Sequence, residues 1–413
     1  MASKSKRQKL KKENPTLLII TSLMVGVFAL LQNKFGIYSD IRTFYVIHFS
    51  DGQNLWPFSE KTLIGFDRAQ NPVEYPALTG LIMWVLSFLI SPSPTAHIDY
   101  YRITAGFQIV LLALCAYLIY KLVGKKWAFC FVLAPAVLYS LNRNWDIWAI
   151  APMLFSILLF EKKKYTLSAL LLSISIATKF FPIVLMLPIM LIFARNKQLI
   201  DFIKYGAITL IAWVLINLPF VLIDFQGWLY FYKFSAERAL GSASFYELTN
   251  IFIGSIKFTS IHFYILNIFV FLIVTIFLLK LKKTPTLVES SFFVMFAFIL
   301  FNKQYSMQYV IWLTSLAVLT LAYLSKRSQE SLVYVFVLWQ AFEFAFQFSF
   351  FQKALTIKNA NTDTPMVIAV SNNTYATIGA IRYVIAVTFT ILIARSLYKA
   401  NLLRFNESQS SRA

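Results

Sequence analysis

The sequence has 413 residues, of which 59% are hydrophobic, 17% are aromatic and only 14% are charged. This composition, with a mean hydropathy of +0.67, excludes a soluble globular protein and indicates a polytopic membrane protein. The formal net charge of +20 does not indicate nucleic-acid binding, because the basic residues lie in several short loops and form no basic face. No nucleic-acid partner is therefore expected.

The chain begins with a basic segment, residues 1–15, which we interpret as a cytoplasmic tail before an uncleaved membrane anchor. Apolar segments that approach the roughly 20 residues of a membrane-spanning helix follow it. They lie at 16–31, 77–91, 103–120, 127–141, 145–160, 165–178, 180–194, 204–223, 261–280, 287–301, 307–325, 331–350 and 376–395. We expect an all-α domain of about eleven to thirteen transmembrane helices over residues 16–395, and a cytoplasmic tail at 396–413.

Short basic loops near residues 161, 194, 280, 325 and 394 predict the cytoplasmic face by the positive-inside rule. One segment conflicts with this assignment. If 77–91 crosses the membrane completely, the basic residues at 121–126 fall on the outer side. Either 77–91, which ends in Ser-Pro-Ser-Pro, enters and leaves on the same side, or another short segment does not cross.

Two outer loops, 32–76 and 224–260, are too long to be simple connections, and loops of this length are usually functional or disordered. In the first, apolar residues within 41–49 recur at helical spacing, which predicts an amphipathic helix in the membrane interface. The second combines aromatic residues typical of an interface with embedded charges. The region 351–375 is polar and rich in turn residues, as expected for a surface loop.

No cofactor or metal site is predicted from the sequence. Cys115 and Cys130 lie in apolar segments and are expected to be buried, unpaired thiols, and the three His residues show no metal-ligand spacing. A nucleotide-binding fingerprint is also missing from the sequence. A membrane enzyme of this kind is expected to take an activated substrate from the bilayer.

Asp40 follows the first apolar segment and begins the predicted interfacial helix. Two interpretations are open for it. Glycosyl transfer from a lipid phosphate requires a carboxylate that accepts the proton of the attacking hydroxyl, and cations that hold the departing phosphate. Alternatively, an Asp at this position caps the helix that follows. Arg42, two residues further on, is a candidate to position Asp40 or the phosphate.

Lys179 lies between two apolar segments, with no acidic residue within nine positions on either side. A buried cation without a partner is costly, so this residue is a candidate for binding a lipid phosphate. Snorkelling of its side chain to the interface is the alternative.

Six motifs, in order along the chain, carry a resemblance to a known family: YSDI, VEYPALTG, LNRNWDIWAIA, ATKFFPIVLMLP, GWLYFYKFSAERA and NKQYSMQYVIWL. Together they resemble the bacterial integral-membrane mannosyltransferases with the GT-C fold that depend on polyprenyl-phosphate mannose. The resemblance covers roughly residues 16–325. It implies a large first external loop whose acidic residue is the general base, and inversion at the anomeric carbon.

Carried over by position, the resemblance implies that Asp40 is the catalytic base. The expected substrate-binding residues are Arg42, Glu74, Tyr75, Asn144, Trp145, Asp146, Lys179, Arg238, Lys303 and Gln304. Glu74 is either an acceptor-orienting residue or a cap of the next helix. The Asn144-Trp145-Asp146 unit either contacts the sugar or forms a capped helix start with an interfacial Trp.

The sequence therefore predicts an inverting hexosyltransferase of the plasma membrane, with its site on the extracytoplasmic side. It would move a sugar, with mannose expected, from a polyprenyl phosphate to a hydroxyl of a glycolipid or cell-envelope glycan. The alternatives are a lipid-linked glycan flippase or transporter and an O-antigen-type polymerase. A transporter would place many ionisable residues deep in its spans, whereas this sequence has few, among them Lys179 and Glu343. A purely structural membrane protein would tolerate substitution of its outer polar residues.

Overall fold

The computed structural model describes residues 14–31, 39–49, 56–59, 61–62, 69–70, 72–241, 243–254, 258–324, 326–357 and 370–410. Within them the chain is almost entirely helical. The helices are α1 Thr16–Leu31, α2 Asp40–His48, α3 Ala77–Ser87, α4 Ala96–Val123, α5 Lys125–Val132, α6 Pro135–Ser140, α7 Asp146–Glu161, α8 Tyr165–Thr178, α9 Met186–Arg195, α10 Leu199–Ile223, α11 Phe225–Glu237, α12 Phe245–Ile253, α13 Ser260–Lys280, α14 Leu287–Leu300, α15 Val310–Ala322, α16 Lys326–Ile357 and α17 Asn372–Ser410. The 3₁₀ turns Phe181–Leu185 and Met307–Tyr309 precede α9 and α15, and β1 Lys61–Thr62 pairs antiparallel with β2 Ala69–Gln70.

Five of the described helices, α4, α10, α13, α16 and α17, are long and apolar enough to cross a membrane. In the apolar stretches of α10 and α13, only 17% of the residues are buried. Side chains such as Leu222 and Ile268 are more than half exposed, which in water would be a large uncovered apolar surface and in a bilayer is a lipid-facing one. The predicted all-α membrane fold is confirmed. The total number of spans stays a prediction.

For segment 77–91, where the sequence left two alternatives open, the helix is too short for a complete span. Its helix α3 has 11 residues, which at 1.5 Å per residue cover about 16 Å of the roughly 30 Å hydrocarbon core. Thr79 donates a hydrogen bond to the carbonyl of Thr178, and Tyr100, near the start of α4, donates to that of Met83. Helix α3 therefore stays at one end of the bundle, and α4 carries the chain to the other end.

The two ends of the bundle differ in composition. Basic turns at one end are tied together by long-range hydrogen bonds: Arg195 donates to the Leu278 carbonyl at 2.9 Å, and Arg404 donates to Glu289 at 2.7 Å. Helix α17 continues through the predicted tail to Ser410. The opposite end holds α2, α3, α11 and α12 and most of the buried side-chain charges. We call it the site end.

Helix α11 lies against the segment 56–59 at the site end. Asp224 caps α11 by accepting from the Gly227 amide at 2.8 Å, and Ser59 donates to the same carboxylate at 3.3 Å. A Cβ at position 227 would clash with the Phe58 carbonyl oxygen, so only glycine permits this approach. This contact fixes α11 beside the cavity described below.

Candidate active site

A cavity of about 300 Å³ lies at the site end, and we call it the first cavity. The structure brings eight of the eleven predicted site residues to its wall: Asp40, Glu74, Tyr75, Asn144, Lys179, Arg238, Lys303 and Gln304. They come from separate parts of the chain. Aromatic side chains of α11, α13 and the 3₁₀ turn before α9 form much of the remaining wall, among them Phe181, Phe234 and Tyr264.

A second cavity of about 410 Å³ adjoins the first. The two share six residues: Asp40, Glu74, Arg238, Gln304, Ser306 and Gln308. The wall of the second cavity is completed by α2, the 304–308 segment, the end of α16 and the guanidinium of Arg143. Asp40 and Glu74 thus stand where two separate spaces meet.

Asp40 is held in place by the backbone that joins α6 to α7. Its amide donates to the Arg143 carbonyl at 2.9 Å, while the hydroxyl of the preceding Ser39 donates to the Asn142 carbonyl at 2.8 Å. Ser39 occupies the N-cap position and Asp40 is the first residue of α2. The N-cap interpretation of Asp40 is therefore wrong, and its carboxylate faces the cavities.

Burial raises the pKa of Asp40 to about 6. The cations Arg143 and Lys179 oppose this increase, and the carboxylates Glu74 and Asp146 add to it. Desolvation also raises the pKa of Glu74, with Arg238 and Lys179 opposing it. A carboxylate with a pKa near 6 is ionised at neutral pH and is a stronger base than an ordinary aspartate.

The Asn144-Trp145-Asp146 unit forms the start of α7. The Asn144 side chain accepts from the Asp146 amide at 3.0 Å and donates to the Tyr75 hydroxyl at 3.2 Å. Trp145 is buried and packs edge-on against Tyr75 with ring centres 5.5 Å apart, so it lies behind the wall instead of at a membrane interface. The predicted contact of Trp145 with a sugar is replaced by support of Tyr75.

Lys179 has a buried acidic partner, Asp146, which is distant from it in the sequence. Its ammonium lies 2.7 Å from a carboxylate oxygen of Asp146, which is 1% exposed. The backbone at Lys179 is extended, because α8 ends there and the next turn contains Pro182. The ammonium also lies 4.8 Å from the centre of the Tyr75 ring. Since an ammonium has three donors, Lys179 can bind Asp146 and still donate into the first cavity.

The opposite wall is built from two loops that hydrogen-bond to each other. The Gly241 amide donates to the Lys303 carbonyl at 2.9 Å, and the Gln304 side chain donates to the Ala239 carbonyl at 3.1 Å. The Lys303 ammonium donates to the carbonyl of Ala236 at 2.8 Å. These bonds bring Lys303, Gln304 and the adjacent Arg238 to the same cavity.

Besides Trp145, two predicted residues lie outside both cavity walls. Arg42 is two positions after Asp40 on α2, and residues at this spacing point to different sides of a helix. The charge of Arg42 interacts electrostatically with His97 and Tyr101 of α4. Arg42 lines neither cavity. Asp146 is likewise absent from both walls and contributes through Lys179.

Sequence reasoning did not assign Arg143, which is 4% exposed and lines the second cavity. Its guanidinium lies over the rings of Phe351 at 3.7 Å and Tyr139 at 4.6 Å. Burial lowers the pKa of Arg143 to about 10, so it stays cationic at neutral pH. The only sequence signal for Arg143 was its position directly before Asn144. Its aromatic partner Phe351 on α16 is more than 200 residues away in the sequence, so their contact could not be predicted.

The site thus combines a carboxylate with a pKa near 6, a second carboxylate and several cations in cavities at the end of an apolar helical bundle. This arrangement can remove a proton from one bound group and stabilise negative charge on another. Among the described residues, no group of three His, Cys, Asp or Glu side chains is placed to hold a metal ion. Fold and site define a polytopic, all-α membrane protein with a charged, two-part cavity.

Comparisons with known proteins find similarity among solved structures only. No family model matches the sequence, and no curated protein matches it. Among solved structures, the crystal structure of ArnT from Cupriavidus metallidurans bound to undecaprenyl phosphate is similar at 11% identity, with a TM-score of 0.46. The match covers 92% of this chain and 77% of that chain.

Proposed function

We propose that this protein is an inverting glycosyltransferase that moves a sugar from a polyprenyl phosphate to the hydroxyl of a glycolipid or cell-envelope glycan. One observation carries the proposal. The carboxylate of Asp40 and the cations Lys179, Arg238 and Lys303 line one cavity, whose wall also includes a lipid-facing helix. A base for a hydroxyl and a binding site for a phosphate are the two requirements of this reaction.

The first cavity is assigned to the lipid-linked donor. Tyr264 of α13 lines this cavity and is half exposed, and its neighbours Ile261 and Ile265 are more than 60% exposed apolar residues. A substrate in this cavity is therefore within reach of the bilayer. A phosphate on a polyprenyl chain would place its charge near the cations and its chain along the apolar surface.

The second cavity is assigned to the acceptor. It shares Asp40 and Glu74 with the donor cavity, so an acceptor hydroxyl next to Asp40 would face the donor sugar. The aromatic residues Phe44 and Phe351 provide apolar surface on which a sugar ring can pack. Arg143 and Glu74 supply polar groups that can orient it.

In the proposed reaction, Asp40 accepts the proton of the acceptor hydroxyl as its oxygen attacks the anomeric carbon. The bond between that carbon and the phosphate oxygen breaks, and the polyprenyl monophosphate departs with the bonding electrons. Lys179, Arg238 and Lys303 stabilise its developing charge. A phosphate monoester is a weak base, so no general acid is needed. Attack from the side opposite the leaving group inverts the anomeric centre.

Mannose is the proposed sugar, on the basis of the six sequence motifs and their order. The proposed location is the plasma membrane with the site on the extracytoplasmic face, because the opposite end of the bundle carries the basic turns. These assignments require no cofactor. The partners are the donor lipid, the acceptor and the surrounding membrane lipids.

The proposal is tested with purified protein in liposomes that contain glycolipids extracted from the native membrane. Radiolabelled mannose, glucose and galactose are supplied in turn as polyprenyl-phosphate sugars. We expect transfer of one label, with mannose favoured, and release of one polyprenyl phosphate for each sugar moved. Movement of an intact lipid-linked sugar across the bilayer without transfer would identify a flippase, and growth of repeating chains a polymerase.

The pH dependence of kcat/KM is expected to report Asp40. Activity should fall as the pH decreases through about 6, because Asp40 must be ionised to act as a base. Glu74→Gln should move this acid limb to lower pH, since the negative charge of Glu74 raises the pKa of Asp40. Arg143→Gln should move it to higher pH, because Arg143 lowers that pKa.

These opposite shifts are measured as full pH profiles of kcat/KM for the acceptor in wild type and both variants, because this ratio reports the protein before the acceptor binds beside Asp40. If the acid limb of wild type lies near pH 4, or if both variants shift it in the same direction, the group that titrates is not Asp40.

A further inference from the structure

A fully buried ion pair lies outside the two cavities, between α16 and α17. Glu343 and Arg382 are both 0% exposed, and their charged groups are 3.9 Å apart. The guanidinium stacks between the rings of Phe346 at 3.8 Å and Tyr305 at 4.1 Å. A buried pair of this kind rarely adds stability compared with well-packed apolar residues, so its presence calls for another explanation.

Each member of the pair also binds one of the two loops that form the cationic wall of the site. On the Glu343 side, the Tyr305 hydroxyl donates to the carboxylate at 2.9 Å. On the Arg382 side, the guanidinium donates to the Ala243 carbonyl at 3.1 Å. Tyr305 directly follows the predicted phosphate-binding residues of its loop, and Ala243 follows Gly241 in the other.

The backbone at Ala243 needs an anchor. Its φ of 64° lies in the left-handed region, which alanine rarely adopts and which is costly unless the surroundings enforce it. Arg382 holds its carbonyl, and the Glu247 carboxylate accepts from its amide. Glu247 in turn accepts from Tyr375 of α17 at 2.8 Å. Two residues of α17, Arg382 directly and Tyr375 through Glu247, therefore hold the strained backbone at Ala243 in place.

We propose that Arg382 and Glu343 are positioning residues that hold the Arg238–Gly241 and Lys303–Tyr305 segments together, and so set the spacing of the cations across the first cavity. The role assigned to these cations rests on the proposed function, whereas the anchoring of the loops does not. Neither residue touches a substrate cavity directly. Their action passes through the Tyr305 side chain, by its hydroxyl bond to Glu343 and its stacking on Arg382, and through the Ala243 carbonyl.

The test uses the double variant Arg382→Met with Glu343→Gln in the full-length protein. Removing both charges together avoids leaving one buried charge without its partner. The amide that replaces the Glu343 carboxylate would still accept from Tyr305, but the bond to Ala243 and the stacked guanidinium are lost. The rate of amide hydrogen–deuterium exchange should increase on the order of tenfold in peptides covering 236–241 and 302–307. This is the size of effect that the loss of one charged hydrogen bond produces. Peptides covering 39–49 and 176–181 on the other wall should be unchanged.

In the transfer assay, the same variant should show a higher KM for the polyprenyl-phosphate donor, with kcat/KM lower on the order of tenfold. The single variant Arg382→Lys should lower kcat/KM less than the double variant does. A lysine can donate to one acceptor, but it has no planar group to stack on the aromatic rings. Gln340→Leu is the matched control. Gln340 is equally buried on α16, one turn from Glu343, but bonds to Thr314 of α15 instead of the loops.

Unchanged exchange in both loops of a folded double variant would overturn the proposal. So would faster exchange throughout α16 and α17, which would indicate a general structural role. If the double variant does not fold, Tyr305→Phe removes only the hydroxyl bond to Glu343 and should loosen 302–307 alone. A wild type without transfer activity, combined with the predicted exchange pattern, would reject the proposed function and retain the positioning role.

Discussion

Replacement of Asp40 by Asn is expected to reduce kcat/KM by roughly 10²- to 10⁴-fold, the usual contribution of a general base. The variant keeps the shape of the side chain and the backbone bond to Arg143, but its amide cannot accept a proton from the acceptor. Transfer of labelled sugar in liposomes is the measurement, with protein amounts matched. Donor binding should be retained, because the three cations of the first cavity are unchanged.

The same variant is expected to be at least as stable as the wild type at pH 7.5. The pKa of Asp40 is higher in the folded protein, about 6 against an ordinary value of 3.8, so its ionised form is disfavoured by folding. This cost is absent below about pH 4 and complete above about pH 6, and it amounts to about 2 to 3 kcal/mol at most. The thermal midpoint of Asp40→Asn should therefore exceed that of wild type at pH 7.5, with a difference that shrinks between pH 6 and pH 4.

Asp99→Asn provides the matched control for Asp40→Asn. Asp99 lies in the first turn of α4, has a side chain that is 46% exposed and pairs with Arg102 on the surface, where an ion pair contributes at most about 1 kcal/mol. Its replacement should leave transfer close to the wild-type level. Activity retained in Asp40→Asn would move the base to Glu74. Activity lost in both variants would point to a general effect of acidic residues on membrane insertion.

Much of the helical scaffold follows directly from apolar segment boundaries. The predicted segments 16–31 and 165–178 coincide with α1 and α8, and 145–160 differs from α7 by one residue at each end. Helical spacing in 41–49 likewise predicted α2, whose buried residues include Ile41 and Tyr45. In these cases the local pattern is sufficient, because a helix satisfies its backbone hydrogen bonds within one segment.

Pairing between distant segments was the part that local patterns did not predict. Lys179 had no acidic neighbour in the sequence, yet Asp146, 33 positions earlier, meets it because α7 and α8 pack side by side. Arg42 was grouped with Asp40 because they are close in sequence, but the helical turn separates their side chains. The end of helix α3 at Ser87 could not be read from the apolar pattern, because apolar residues continue after it. Each difference arises from tertiary packing, which determines which faces meet.

Lys179→Met is expected to reduce kcat/KM by roughly 10²- to 10³-fold, comparable with loss of one group that stabilises transition-state charge. This single substitution also leaves Asp146 buried without its cation, which destabilises proteins by about 3 to 5 kcal/mol. Activity alone would therefore not separate phosphate binding from a structural ion pair. A second variant that also changes Asp146 is required.

The double variant Lys179→Met with Asp146→Asn makes that separation. It removes both charges, so its thermal midpoint should return close to that of wild type, whether or not Lys179 binds phosphate. If the ammonium has only a structural role, transfer should return with stability. If it holds the departing phosphate, as its place in the first cavity beside Tyr75 suggests, transfer should stay at the level of the single variant. We expect recovered stability without recovered transfer, because the pair with Asp146 occupies one donor of Lys179 while the reaction depends on the others.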